Sequence, residues 1–293
     1  MKKLLMIVNP VTAKAAITPY IIDIIDTLEN NGYDVTVHIG KYKGDCTDFI
    51  KAIGSRFDVI VACGGDGTLS ETVSAVLTLD KKPEIGYIPS GTTNDFAVSW
   101  KISRKPMEAA TNIAVNEPKF CDVSTFCGKP FVYVAAFGAF TEASYSTPQE
   151  LKKSIGWIAY IIEGIKSLPS IKPIKMKIEY DGGVIEDEFL YGMISNTRHV
   201  GGFELKVSDD VSLSDGLMEL ILIRNPKNSA DNPKMLSAVL NQDASSEYIT
   251  FVHTKKVRFE TDEDVSWTID GENGGVIKEG EAEVIPAAVR LYY

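Results

Sequence analysis

The sequence predicts an α/β domain built on a parallel sheet, followed by an antiparallel β domain of sandwich or barrel type. Three observations lead there. Up to about Lys119, short apolar runs alternate with helix-length amphipathic segments, the pattern of repeated strand–helix units with right-handed crossovers. Beyond that point strand-length runs follow one another through turns. The chain is also long enough, at 293 residues with 44% hydrophobic and 24% charged residues, for two cored domains.

Each segment has a local reason. "LLMIV" is a continuous apolar run, as in a strand covered on both faces. "TPYIIDIIDTLENNG" reads as a helix that Thr18 can cap, Pro19 can start and Gly32 can end. Its Ile21, Ile24, Ile25 and Leu28 share one face. "VTVHI" (35–39) is a strand, "TDFIKAIG" (47–54) a short helix and "FDVIVAC" (57–63) a strand, with a helix near 69–78. "EIGYI" is a fourth strand, and Pro106 opens the helix "PMEAATNIAV". The second half offers "FCDVSTF", "FVYVAAFG", "IKMKIEY", "DEFLYGMIS", "GLMELILI", "EYITFVHT", "KVRFET" and "VSWTID" as strands. Asp181-Gly182-Gly183 is a hairpin turn, and helical stretches fall near 148–168 and 232–241. The pattern changes near residue 125, which divides the chain into 1–125 and 126–293.

Composition excludes some functions. A net charge of −10 and a pI near 4.9 argue against nucleic-acid binding, which needs a basic face. Cys46, Cys63, Cys121 and Cys127 are too scattered for a disulfide framework or a paired metal motif, and fit a reduced cytoplasmic chain. "MKKLLMIVNP" starts like a signal peptide, but its apolar run is too short. No stretch approaches the roughly 20 apolar residues of a membrane span.

Three loops carry the candidate chemistry. Gly64-Gly65-Asp66-Gly67-Thr68 leaves one parallel strand where such sheets bind ligands. Glycines let the backbone approach a ligand, and a following helix N-terminus suits a phosphate. Asp66 can reach Mg²⁺ and Thr68 a phosphate oxygen. The alternative is a tight turn with a helix-capping aspartate. Pro89-Ser90-Gly91-Thr92-Thr93-Asn94-Asp95-Phe96 follows the next strand, and Asn9-Pro10-Val11-Thr12-Ala13-Lys14 follows the first.

GGDGT with a following glutamate, then PxGTxNDFA, after a strand ending in NP, resembles the diacylglycerol kinase catalytic-domain family, in particular its small soluble bacterial lipid kinases. "SLSDGLMEL" (212–220) is similar to the family's DG-L segment and "IDGE" (269–272) to its closing DGE. The resemblance implies a Rossmann-like, doubly wound ATP-binding domain, then an antiparallel β-sandwich lipid domain whose last strand returns to the first. It implies ATP and Mg²⁺ as cofactors. Asn9, Thr12 and Lys14 would approach the phosphates. Gly65, Asp66, Gly67, Thr68 and Glu71 would form the nucleotide loop, with Asp66 organising Mg²⁺. Thr92, Asn94 and Asp95 would line the opposite wall, and Asp122 matches a further acid. Glu272 would be the general base on the lipid hydroxyl. Asp215, with the carbonyls of Ser212 and Leu217, would hold a second Mg²⁺. The resemblance also implies transient action at a membrane surface from the cytoplasm, and a homodimer.

Two departures stand out. NPVTAK lacks the glycine usual in the family's first loop, so Ala13 restricts the backbone there. Gly40-Lys41 stands where the family carries a threonine. Other features have two readings each. The stripe Leu151, Ile155, Ile158, Ile162 and Ile165 is either a membrane-surface helix or a helix packed on the β domain. Arg198, in "NTRHVGGFEL", meets a phosphate or head group, or sits on a surface loop. His38 reads as structural or exposed. Glu272 and Asp215 also fit ordinary turns. An NAD kinase or other small-molecule kinase, and a non-catalytic nucleotide- or lipid-binding module, are the competing functions.

Overall fold

The computed structural model describes residues 1–138, 172–200, 203–204, 212 and 214–293. The chain divides into two compact units, Met1–Val123 with Pro286–Tyr293, and Ser124–Ile285.

The first unit is built on four parallel strands, β1 (Lys2–Val8), β2 (Tyr33–Ile39), β3 (Val59–Gly64) and β4 (Glu84–Pro89), in the order β4-β3-β1-β2. Helices α1 (Pro10–Ala16), α2 (Ile21–Asn30), α3 (Asp45–Ile53), α4 (Asp66–Leu77), α5 (Asp95–Ser99) and α6 (Pro106–Val115) connect and cover them. One face packs Leu4, Met6, Val8, Val59, Val61 and Cys63 against Ile24 and Leu28 of α2 and Ala109, Ala110 and Ile113 of α6. On the other, Ile50 of α3 and Leu79 close around Ile60 beside Gly54, where an added Cβ would lie 2.9 Å from Leu79. Strands sealed on both sides need continuous apolar runs, and β1 and β3 have them.

Local outcomes differ from the reading of the sequence in places. The segment after Asn9 is helix, not a loop. Asn9 caps α1, its Oδ1 accepting the Val11 N–H at 3.0 Å, with Pro10 in the first turn. Thr18 caps nothing, because Thr18–Tyr20 forms a 3₁₀ turn that runs straight into α2. The helix expected from 69 starts at Asp66, so the glycine motif lies in its first turn. Gly32, with φ +88°, does follow α2.

The second unit is antiparallel. Its strands include β5 (Lys119–Phe126, which enters from the first unit), β6 (Lys129–Phe131), β7 (Val134–Gly138), β8 (Ile174–Tyr180) and β9 (Gly183–Ser195). The short pair β10 (His199–Val200) and β11 (Phe203–Glu204) comes next. Then follow β12 (Met218–Arg224), helix α7 (Asn232–Asn241), β13 (Ile249–Thr254), β14 (Lys256–Ile269) and β15 (Glu272–Leu291), whose end from Pro286 belongs to the first unit. "FVYVAAFG" is thus two strands, while "KVRFET" and "VSWTID" are one, bent where the register shifts between Glu260 and Val265. The turn at Asp181-Gly182 joins β8 and β9 as expected. The stripe at 150–168 lies outside the described residues.

The ladders close on themselves. β9 pairs with β8 through its first half and with β7 through its second, and β14 does the same from the other side. The enclosed core is aromatic. Trp267 lies 4.5, 4.8 and 4.6 Å from the rings of Phe126, Phe137 and Phe259. Gly192 is required there, since an added Cβ would fall 2.2 Å from Phe137. Alternate residues of β9 and β12, including Tyr191, Met193, Ile221 and Ile223, face a second core under Met235, Ala238 and Val239 of α7.

Candidate functional site

The carboxyl ends of β1, β3 and β4 converge within the first unit. Asn9 Nδ2 donates to Thr68 Oγ1 at 3.1 Å, joining the end of β1 to the start of α4. The Ser90 N–H donates to the Gly64 carbonyl at 2.7 Å, joining the ends of β3 and β4. Backbone then runs against backbone: a Cβ on Gly91 would lie 2.7 Å from Gly65 Cα. That approach excludes a side chain at 91, and a Cβ at 65 would be tight, 3.3 Å from Gly91 Cα. Gly64 is equally confined, its Cβ position lying 2.3 Å from Thr68 Oγ1. Gly67 has open space beside it.

Asp66 does not cap its own helix. Its Oδ2 accepts the Asp95 N–H at 3.0 Å, at the start of α5. Tyr87 on β4, itself fully buried, places its hydroxyl 3.4 Å from Asp66 Oδ1 and 3.3 Å from Asn94 Oδ1. Burial, and then the charge of Asp95, push the Asp66 carboxyl up to about 6. Asn94 takes the left-handed conformation (φ 53°), an uncommon one that its side chain supports by exchanging hydrogen bonds with Gly91 at 2.9 and 3.0 Å.

Two further hydroxyls mark the same end of the sheet. Thr12 Oγ1 and Ser90 Oγ are buried without a hydrogen-bond partner. A buried hydroxyl left unpaired is costly, and an oxygen-rich ligand such as a phosphate would satisfy both. With the glycine approach at 65 and 91, the residues present fit a nucleotide phosphate chain. Lys14 lies on α1, Glu71 on α4 is partly buried, and Thr92 is exposed.

The remaining expected residues, Asp122 apart, lie in the second unit. Ser212 and Leu217 flank a turn in which Asp215 Oδ1 accepts the Leu217 N–H at 2.9 Å. Glu272 is exposed at the start of β15, opposite Ile269. Asp270 beside it is structural: its carboxylate accepts the N–H groups of Val132, Tyr133 and Val134, each at 3.0 Å. Asp122, in the first unit, is 2% exposed and accepts the Ala287 N–H at 2.7 Å. Among the described residues, no group of three or more His, Cys, Asp or Glu side chains is arranged to hold a metal ion.

Residues 3–126 match the diacylglycerol kinase catalytic domain, and residues 136–293 match the YegS C-terminal NAD kinase beta sandwich-like domain. A diacylglycerol kinase of Bacillus subtilis (strain 168) is 32% identical over 279 residues, covering 94% of this chain and 92% of the relative. The chain belongs to the diacylglycerol kinase family. A crystal structure from Bacillus anthracis str. Sterne, provisionally called a diacylglycerol kinase, superposes at TM-score 0.86 with 26% identity, over 100% of this chain and 95% of that one. An NAD kinase from Archaeoglobus fulgidus, solved with ATP, shares the fold at TM-score 0.52 and 14% identity, over 99% of this chain and 93% of that one.

This diacylglycerol kinase-family chain carries three residues at or near its candidate sites that sequence reasoning missed. Arg104 donates to the Thr92 carbonyl at 3.2 Å, bringing a cation to the β4 loop. Nothing in its neighbourhood along the chain signals this. Tyr87 carries the one polar side chain in the buried part of β4, which was a readable signal. Glu219 on β12 is 1% exposed, and neither carboxylate oxygen has a hydrogen-bond partner. Burial, then the negative charge of Asp215, raise its pKa to about 8, and Arg198 acts in the opposite direction. His253 Nδ1 lies 3.5 Å from its Oε1 but forms no hydrogen bond. His38, by contrast, is structural: it pairs with Asp45 at 3.0 Å and stacks on Phe49 at 3.8 Å.

A groove of about 800 Å³ lined by Lys2, Asp58, Glu84 and Arg290 lies at the amino ends of β1 and β4, away from the glycine loops. Three of the cysteines are buried and all four are free. Among the described residues no helix is long and apolar enough to cross a membrane.

Proposed function

We propose that the protein transfers the γ-phosphoryl group of ATP to the hydroxyl of diacylglycerol or a closely related lipid. The observation that carries this reading is the meeting of the β3 and β4 loops at Gly65 and Gly91 beside two unpaired buried hydroxyls, in a chain of this family. Parallel strands with helices on both faces support a Rossmann-like reading of the first unit.

In this reading Asn9, Thr12, Lys14, Gly65, Gly67, Thr68, Glu71, Thr92 and Asn94 surround the nucleotide. Ser90 and Arg104 join them. Asp66 and Asp95 would hold Mg²⁺, which when bound neutralises phosphate charge. Asp215 with the carbonyls of Ser212 and Leu217 would hold the second ion. The neighbouring buried Glu219 adds a second carboxyl there, whose ionised form a bound cation would favour. Glu272 accepts the proton of the attacking hydroxyl, a role open to an exposed carboxylate at a strand start. The protein would work from the cytoplasm, as a dimer, at the membrane surface.

The test is transfer of labelled γ-phosphate from ATP to a mixed-micelle lipid panel, with and without chelator, alongside NAD as acceptor. Labelled lipid that disappears in Asp66→Asn, in Glu272→Gln and on chelation is the expected result. Labelled NADP and no labelled lipid would move the protein to the NAD kinase reading.

A further inference from the structure

We infer that Tyr87 is a positioning residue, which sets the β3 and β4 phosphate loops against each other through Asp66 and Asn94. The inference deepens the reading of this site as a nucleotide site and rests on it only for the nucleotide-binding arm of its test.

Tyr87 belongs to a strand that is otherwise Glu84, Ile85, Gly86, Ile88 and Pro89, with both faces covered. An aromatic residue here serves packing, and the ring does meet Phe96 edge-on at 6.4 Å. Packing alone needs no hydroxyl. The hydroxyl is fully enclosed, so it cannot touch a ligand and can act only through its neighbours. Those neighbours are Asp66 Oδ1 on the β3 side and Asn94 Oδ1 on the β4 side.

Both neighbours are acceptors. Asn94 is fixed in that sense, because its Oδ1 already takes the Gly91 N–H and its Nδ2 gives to the Gly91 carbonyl. Asp66 is held by its other oxygen to the Asp95 N–H. Tyr87 therefore has one hydrogen for two oxygens, and the 3.3 and 3.4 Å separations suit sharing rather than a single short bond. Each acceptor in turn holds a backbone N–H of the β4 loop, at Gly91 or Asp95. One hydroxyl thus braces the carboxylate and the amide that together order residues 91–95. Removing it leaves both loops present and their mutual placement looser.

Tyr87→Phe deletes the hydroxyl and keeps the ring against Phe96. Tyr87→Met is a second hydroxyl-free variant, available should the first fail to fold. In ligand-free protein, hydrogen–deuterium exchange at the Gly91 and Asp95 amides is expected to rise roughly three- to tenfold, the equivalent of about one net hydrogen bond, with the β4 core unchanged. By calorimetry, ATP should bind Tyr87→Phe roughly three- to tenfold more weakly. In an Asn94→Ala background the Tyr87→Phe effect should shrink, since half of the brace is already gone. Unchanged exchange at 91–95, whether or not the melting temperature falls, would overturn the inference and leave Tyr87 a packing residue. If wild type binds no ATP, the nucleotide reading fails, while the exchange measurement still decides the role of Tyr87.

Discussion

Replacing Glu219 by Gln should stabilise the protein, increasingly so as pH rises. The Glu219 side chain is 1% exposed, and its pKa of about 8 lies well above the ordinary 4.5. Between those values the native state keeps a proton that the unfolded chain has lost. Stability therefore falls as pH rises through that window, and is level below and above it. At about 1.4 kcal/mol per pH unit the full gap corresponds to roughly 5 kcal/mol. Relaxation and water entry bring a realistic figure to about 2–3 kcal/mol. Gln is neutral throughout and matches the protonated shape. The charged and titratable groups near this site are Asp215 before β12, Arg198 after β9 and His253 on β13. The assay is urea denaturation of wild type and Glu219→Gln from pH 4.5 to above 8, without divalent cations. The curves should coincide at the acid end and separate by about 2–3 kcal/mol at the alkaline end. A less stable Glu219→Gln near neutrality would refute the reasoning, because it would mean that Glu219 is ionised and paired with His253 or Arg198. A separation independent of pH would refute it too.

Four further outcomes are expected. Asp66→Asn should lower phosphoryl transfer by about 10²-fold or more, and wild-type Mg²⁺ affinity, measured by titration, should strengthen as pH rises through about 6, where Asp66 gives up its proton. Glu272→Gln should lower the turnover number by about 10²–10⁴-fold while its unfolding free energy, from urea denaturation, stays within about 0.5 kcal/mol of wild type, as suits an exposed residue. Gly91→Ala should weaken ATP binding, read by calorimetry, and cost about 1–3 kcal/mol of stability, because its Cβ would meet the Gly65 backbone at 2.7 Å. Asp270→Ala strands three N–H groups and should cost about 3 kcal/mol or more by thermal denaturation, with activity retained at temperatures where the variant stays folded.

The division between legible and hidden features follows the range of the interactions involved. β1, β3 and α6 were readable because a doubly covered strand must be continuously apolar, and a helix start must tolerate the missing N–H of Pro106. The helical course of residues 10–16 was not, because a loop was expected between Asn9 and the next helix. It depends on Asn9 capping a turn that buries Ala13 and Ile17 against the sheet. β15 was hard to see, since Gly274, Gly275, Gly280 and Pro286 interrupt its alternation. Its pairing with β14 and, at Leu291, with β4 supplies the order that local propensity lacks.

By itself the sequence determined the two-part class, the parallel character of the first unit, the glycine loops and the acids attached to them. These are encoded over a few consecutive residues, through periodicity, turn chemistry and motif spacing. Only the tertiary structure decided that Asp66 braces α5 rather than capping α4, that Asp270 holds the chain at 132–134, and that the Glu219 carboxyl is sealed without a hydrogen-bond partner. Each of these depends on a carboxylate meeting, or failing to meet, groups that lie far away along the chain. Burial and hydrogen-bond geometry arise only when the strands assemble, so local sequence has no way to record them.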